Sequence, residues 1–481
     1  MSSAVAGAPS ATADELERLL YRFGFLLHAG HSPPTGSLWQ TLSRTWRTVE
    51  LDDLSLRHHP ETVVHVERRG TEFTALIGEA WVANPPYERS PVQMLAEQPM
   101  MWIPRTLDEL SGRFVAIVRR DGRTAVFHDA FGARAVFYQQ DGPLALASHA
   151  DLLAETFGVP RSRAMAEYLQ SQTWKGMTMR YLPGDLTVFE RVFMLVPNNL
   201  YDIERRRTQR YWPRRPQVAG EPEAFFEACD RYFAGFAAFL RDRHLWLSVT
   251  GGIDSRLLIA ALGHFGCDFQ TVTWTSFNFE AWEAQPVADI VALLGRRHAT
   301  VDASNDAING VAMIGVRNGG RSRQPSPAVA GMSRLAGEDP RAIFVRGFGG
   351  EVLRGFYNAK GNPIDGYTPR AMTERYRKEG RDADVFLLTA FEGFQRRSNA
   401  GAAAAFGIDP SDLFYWEHRV GTWAAEQLNG MDAAVNSMFG FNSRPLAEIA
   451  FGLPKERRLT KTLFLEVIRR YNPQLAEIYY K

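Results

Sequence analysis

Apolar and polar residues alternate through much of the segment from 60 to 150, in runs such as "ETVVHVERRG", "EFTALIGEAWVA" and "RFVAIVRRDGRTAVFHDAFGARAVFYQQDGPLALASH". A period of two sends successive side chains to opposite faces, so these runs predict strands. The pairs Asp121-Gly122 and Asp141-Gly142 suit tight hairpin turns, which need positive φ. Two helical patches follow, "DLLAETFG" and "SRAMAEYLQSQ", before "DLTVFERVFMLVPNNLYDI" returns to β. The Arg- and Pro-rich stretch from Arg205 to Pro216 reads as a solvated linker, with a domain boundary at Trp212.

From Glu221 the period changes. "EAFFEACDRYFAGFAAFL" carries a helical apolar stripe. A strand (245–249), a helix (254–264), a strand (269–276), a helix (287–295) and a third strand (341–347) follow. Strands alternating with helices predict a parallel sheet covered on both faces. The chain from about 384 reads as mostly helical. No internal repeat is found.

Composition narrows the function classes. The 481 residues suit two domains, and 45% hydrophobic with 12% aromatic content suits well-packed cores. Lys+Arg 55 against Asp+Glu 54 gives no bulk electrostatic case for nucleic acid or an anionic membrane. Two cysteines, Cys229 and Cys267, exclude a disulfide framework and a Cys-rich zinc site. The N-terminus lacks a basic segment followed by an apolar one, so no signal peptide is read, and residues 1 to about 12 are expected to be disordered. No run approaches the ~18 apolar residues of a membrane span. A cytoplasmic protein is expected.

The chemistry concentrates in "LWLSVTGGIDSRLLIAAL", Leu245 to Leu262. A turn between strand and helix in such a sheet aims free N–H groups and a positive dipole end at a ligand. Gly251 and Gly252 let the backbone approach an anion, and Thr250 and Ser255 add hydroxyls. Asp254 repels phosphate unless it holds Mg²⁺, which bridges both. The local reading is a Mg-pyrophosphate or Mg-ATP cradle, with Ser248, Thr250, Gly251, Gly252, Asp254 and Ser255 as contacts. The Gly-Lys-[Ser/Thr] ending of a Walker A loop is absent.

"TGGIDS" resembles the SGGxDS signature of the PP-loop ATP pyrophosphatases, in particular the asparagine synthetase (class B) and β-lactam synthetase superfamily. Further segments are similar in the same order: "LSGRFVAIVRRDGRTAVFHDAFGARAVFYQQDGPLALASHADLLAE", "VFMLVPNNLYDIERRRTQRYW", "VRGFGGEVLRGFY", "FNSRPLAEIAFGLP" and "KTLFLEVIRRYNPQLAEIYYK". The resemblance implies an α/β fold in two parts. Residues 1–212 would form a glutaminase-like (Ntn-type) β-sandwich with flanking helices. Residues 213–481 would form an ATP-binding synthetase domain with a parallel sheet and a helical end. It further implies adenine contacts at Val272 and Trp274, nucleotide contacts at Gly347 and Gly349, and Mg²⁺ on Asp254 and Glu351. Glu283 is a further guess for the metal. Lys481 matches the position of the family's catalytic lysine, with Lys461 or Arg458 as the alternative holder of that role, and Arg346 is a further candidate catalytic cation read from its own chemistry.

The chain departs from that pattern in three places. It begins Met1-Ser2, without the cysteine nucleophile of glutamine-hydrolysing members, so no glutaminase activity is expected. Phe348 stands where the family places a Glu or Tyr used on the amine, and other candidate bases (Tyr357, Glu417, His418, Glu448) read as structural. Lys481 is the last residue of the sequence. Arg346 and Arg354 suit a carboxylate or phosphate.

Three readings stand. The first is an ATP-dependent, AMP-forming ligase that joins a carboxylate of a small molecule or peptide to an internal or second-substrate amine. The second is a catalytically degenerate paralogue that binds a nucleotide or partner. The third, a tRNA-modifying enzyme, is opposed by the balanced charge. A homodimer is compatible with each.

Overall fold

The computed structural model describes residues 12–31, 34–83, 89–275, 279–302, 308–320, 324–377 and 380–480. The expected disordered leader, Ser2 and Lys481 lie outside them. The chain is an α/β protein with two six-stranded antiparallel sheets and one five-stranded parallel sheet. No helix among the described residues is long and apolar enough to cross a membrane.

The two antiparallel sheets pack face to face, and alternation explains how. Phe73, Ala75, Ile77, Val115, Ile117 and Val126 turn inward to meet Phe25, Leu27, Leu56 and Leu146 of the other sheet. The intervening Leu76, Phe114, Ala116, Val118 and Phe127 turn outward, under helices Pro91–Ala96 and Ile103–Asp108. On the far side, helix Ala150–Phe157 buries Leu152 and Leu153 in the cluster that holds Leu26 and Ala147. A sandwich with helices on both flanks results. The Asp121-Gly122 turn joins strands Leu110–Arg120 and Arg123–His128 with both residues at positive φ (49° and 70°), as a two-residue hairpin requires.

Strand Phe25–Ala29 was not anticipated, because its five buried residues "FLLHA" continue the apolar stripe of the preceding helix. The linker reading of Arg205–Pro216 is corrected. Arg207–Arg210 is a strand at the edge of one sheet, and Arg210 turns inward to pair with buried Glu417.

The parallel sheet has the spatial order His298–Asp302, Phe269–Thr275, His244–Ser248, Ala342–Arg346, Asn436–Phe439. The chain therefore starts in the middle, builds outward to one side, then returns and builds to the other. Strand order reverses between His244–Ser248 and Ala342–Arg346, where open α/β sheets leave a crevice beyond the strand ends. Strand Asn436–Phe439 interrupts the region expected to be helical.

Buried ions join the sandwich to this sheet. Arg113 donates to Asp432 at 2.6 Å and to Asn429 at 2.8 Å, with both charged side chains fully covered. Arg444 donates to Asp108, Asn198 and the Tyr211 hydroxyl at 2.9, 3.2 and 2.8 Å.

Candidate active site at the strand-order reversal

Strand His244–Ser248 carries the buried run Leu245, Trp246, Leu247 and ends on half-buried Ser248. The chain then turns at Thr250-Gly251-Gly252 and enters helix Ile253–His264, whose first turn contains Asp254. The glycines are used sterically. A Cβ on Gly251 would stand 2.9 Å from the Trp282 ring. The turn is stabilised from within: the Thr250 and Ser255 hydroxyls are 2.9 Å apart, and Gly252 N–H donates to Thr250 Oγ1 at 3.2 Å. Gly251 N–H donates to Glu283 Oε2 at 3.1 Å. Glu283, a guess for a metal ligand, thus sits on the backbone donor that an incoming anion would take.

The second loop meets this turn from the neighbouring strand. After Arg346 come Gly347-Phe348-Gly349 and the short helix Gly350–Leu353. Gly347 and Gly350 lie against Asp254, where a Cβ would come within 3.2 Å and 2.8 Å of its atoms. Gly349 has φ +95°, and a Cβ there would be 2.2 Å from the Phe441 carbonyl oxygen. Close approach of backbones explains the glycines at 347 and 349, and the Asp254 side chain fills the space beside Gly350.

Charge is crowded at this contact. Arg354 donates from Nε and Nη2 to both oxygens of Asp254, each at 2.8 Å. Burial opposes the charged guanidinium, but the Asp254 carboxylate outweighs it and raises the Arg354 pKa. Burial, and then the Asp254 charge, push the Glu351 carboxyl up to about 7. Glu351 Oε2 is enclosed and has no hydrogen-bond partner among the described residues. Lys461 lies near enough to feel Arg354 and Asp254, and burial, then Arg354, lower its pKa. Burial brings Arg346 down to about 10. Its guanidinium carbon lies 4.7 Å from the Trp274 ring centre and 4.1 Å from that of Phe348. No carboxylate among the described residues pairs with it.

No family model matches the chain, and none of the curated proteins compared with it matches. Among solved structures, it is similar to an NMN synthetase from Francisella tularensis, at 11% identity over 54% of this chain and 98% of that one, TM-score 0.21. It is also similar to a glutamine phosphoribosylpyrophosphate amidotransferase from B. subtilis complexed with ADP and GMP. That match has 12% identity over 72% of this chain and 73% of the other, TM-score 0.24. Superpositions this loose identify neither family nor activity.

The fold brings Ser248, Thr250, Gly251, Gly252, Asp254, Ser255, Gly347, Gly349, Glu351, Arg346 and Lys461 to the crevice region. Val272 is core, in one cluster with Trp246, while its carbonyl accepts from Val249 N–H at 2.8 Å. Trp274 packs on Phe344, with ring centres 5.4 Å apart. Of the alternative bases, Glu417 is held by Arg210 through two bonds of 2.7 Å. Burial takes His418 down to about 3, leaving its Nε2 to accept from Gly184 N–H at 3.0 Å. Tyr357 is buried, and Glu448 accepts from the Trp212 indole.

Two contributors escaped the sequence reading. Arg256, one residue after the motif, is fully buried and donates to the carbonyls of Ile478 and Tyr479, the latter at 2.9 Å. It ties the C-terminal stretch to the glycine turn, with Tyr480 beside Arg256 and Lys461. Trp282 covers Gly251. An arginine inside the motif run, and a Trp-Glu pair after the second strand, were the available signals.

Proposed function

We propose that the protein is an ATP-dependent, AMP-forming carboxylate–amine ligase of the asparagine synthetase-like kind, without a glutaminase step. The observation that carries this reading is the glycine turn and helix N-terminus facing the Gly347–Gly350 loop at the strand-order reversal. That arrangement suits an anion: backbone N–H groups, two hydroxyls and a helix dipole converge with Lys461 and Arg346.

Mg²⁺ fits the residues present. Asp254 and Glu351 act on each other, and the enclosed Oε2 of Glu351 has no hydrogen-bond partner among the described residues. No group of three or more His, Cys, Asp or Glu side chains suited to a metal occurs among the described residues, but Mg²⁺ commonly takes only one or two carboxylates plus substrate phosphates. When bound, it would neutralise charge on the pyrophosphate leaving group.

In this reading the Thr250–Gly252 turn holds the β- and γ-phosphates, displacing Glu283 from Gly251 N–H. A substrate carboxylate oxygen attacks the α-phosphorus, and the bond to pyrophosphate breaks. Lys461 and Arg346 stabilise the negative charge that develops. A neutral substrate amine then attacks the acyl carbon, the C–O bond to AMP breaks, the surplus amine proton passes to the departing phosphate or to water, and an amide forms. The amine comes from the same small molecule or peptide, or from a second one, and its positioning supplies much of the rate.

Calorimetric titration with Mg²⁺ and a non-hydrolysable ATP analogue tests the site, beside Asp254→Ala and the gentler Asp254→Asn. The expected result is binding in the native protein that both variants weaken. Absence of binding in the native protein sinks the reading. Arg354's hold on Asp254 and the apolar Phe348 favour a second reading, a nucleotide-binding protein without turnover. It predicts binding of the analogue but no pyrophosphate release with any carboxylate tried.

A further inference from the structure

Far from the glycine turn in sequence, a cleft of about 900 Å³ opens at one end of the sandwich. One wall is the edge strand Arg207–Arg210, and another is strand Val192–Met194 at the edge of the second sheet. The C-terminal end of helix Asp384–Ser398 completes it. Six arginines line the cleft: Arg191, Arg206, Arg207, Arg210, Arg396 and Arg397. No acidic residue is among the described residues of its lining.

Half of these arginines are neutralised by ion pairs and half are not. Three have carboxylate partners: Arg397 with buried Asp185 (two bonds of 2.6 Å), Arg210 with buried Glu417, and Arg191 with Asp141. Those partners lie outside the lining and fix the guanidiniums as walls. Arg206 donates to the carbonyls of Gly142 and Pro143, at 2.7 and 3.3 Å, lies close enough to the Tyr201 hydroxyl to act on it, and has no carboxylate partner among the described residues. Among the described residues, Arg207 and Arg396 have no ion pair, and both are exposed. Three positive charges are left uncompensated in a concave site, which focuses attraction for an anion. The Tyr138 hydroxyl, on a residue 3% exposed in the same lining, has no hydrogen-bond partner among the described residues.

The shape selects among anions. The cleft runs beside an edge strand in which exposed Arg207 and Gln209 alternate with half-buried Thr208 and Arg210. Thr208 and Arg210 are held by the carbonyls of Arg397 and Ser398. An edge strand offers main-chain groups to an added strand, and alternate side chains of that strand would reach the arginines. Single-stranded nucleic acid needs open aromatic faces. Here the Phe193 ring is only 8% exposed and covered by the Arg397 guanidinium at 3.8 Å.

We propose that this cleft docks an acidic polypeptide segment in extended conformation along strand Arg207–Arg210. The proposal stands independently of the nucleotide reading, because none of these residues belongs to the glycine-turn site. The test is fluorescence anisotropy of a labelled peptide alternating Glu and Thr, titrated with the full chain at low salt. The double variant Arg207→Gln/Arg396→Gln removes two exposed charges without breaking an ion pair, and its melting curve verifies folding. Saturable binding that the variant weakens roughly five- to tenfold is expected, since two exposed carboxylate contacts are lost. Proline at alternate positions of the peptide should weaken binding as well, because proline cannot donate to a strand ladder. Absence of saturable binding, equal binding by the variant, or indifference to the prolines overturns the proposal. So does an oligothymidylate of equal charge that binds as tightly with the same dependence on Arg207 and Arg396.

Discussion

Arg354 grips both carboxylate oxygens of Asp254, at 2.8 Å each, and so gives this acid a positive partner from within the chain. The two side chains are 12% and 16% exposed, so water screens them only weakly. A double-mutant cycle with Asp254→Asn and Arg354→Gln, read in urea melts, should give a coupling of roughly 1 to 3 kcal/mol. Additive effects would show that the pair does not stabilise the crevice. Arg354→Gln alone should also raise affinity for Mn²⁺ as a spectroscopic stand-in for Mg²⁺.

Glu351 gives a stability signature in pH. Its carboxyl is raised from the usual 4.5 to about 7, so the folded protein holds a proton that the unfolded chain releases. Stability from this group is therefore intact below about pH 4.5, falls as pH rises towards 7, and stays low above it. The ceiling is roughly 3 kcal/mol, and less with partial solvent access. Glu351→Gln mimics the protonated acid. It should raise the melting temperature at pH 8 and leave it nearly unchanged at pH 4.5. An equal shift at both pH values would contradict this.

Arg256→Ala should release the C-terminal stretch. Its guanidinium holds the Ile478 and Tyr479 carbonyls, so hydrogen exchange should accelerate at 475–480 while the parallel strands stay protected. Uniform loss of protection would mean that Arg256 supports the helix itself instead.

Gly349→Ala should destabilise the protein by about 2 kcal/mol or more, since φ +95° and a backbone oxygen at 2.2 Å both exclude a Cβ. Gly122→Ala, with open space around the Cβ position, carries only the conformational strain and should cost less. Thermal melts of the two variants compare them directly.

Much of the architecture was legible because period-two alternation and the strand–helix rhythm are local signals. The Asp121-Gly122 hairpin followed from two residues, and the turn before Asp254 from six. What escaped depends on distant partners. Strand Asn436–Phe439 is four residues long and half polar, and reads as strand only beside Ala342–Arg346. Arg354 is separated from Asp254 by a hundred positions, and nothing near either residue announces the pair. Glu283 was found as an acid near the site, but its bond to Gly251 N–H is a matter of folded geometry. The arginines from 205 to 210 were legible as charge and not as a strand, because Arg207-Thr208-Gln209-Arg210 alternates in exposure without an apolar residue to mark it.

The covered Arg113–Asp432 pair bears on how this chain can be inherited and engineered. A fragment ending near Trp212 would keep a cation built for an enclosed carboxylate that the fragment no longer contains, and the complementary fragment would keep the orphaned acid. Removing one partner of such a pair typically costs about 3–5 kcal/mol, a large part of a domain's whole margin. Sandwich and parallel sheet are thus bound to travel together. Grafting either onto a foreign partner would have to carry, or replace, an arginine and an aspartate 319 positions apart.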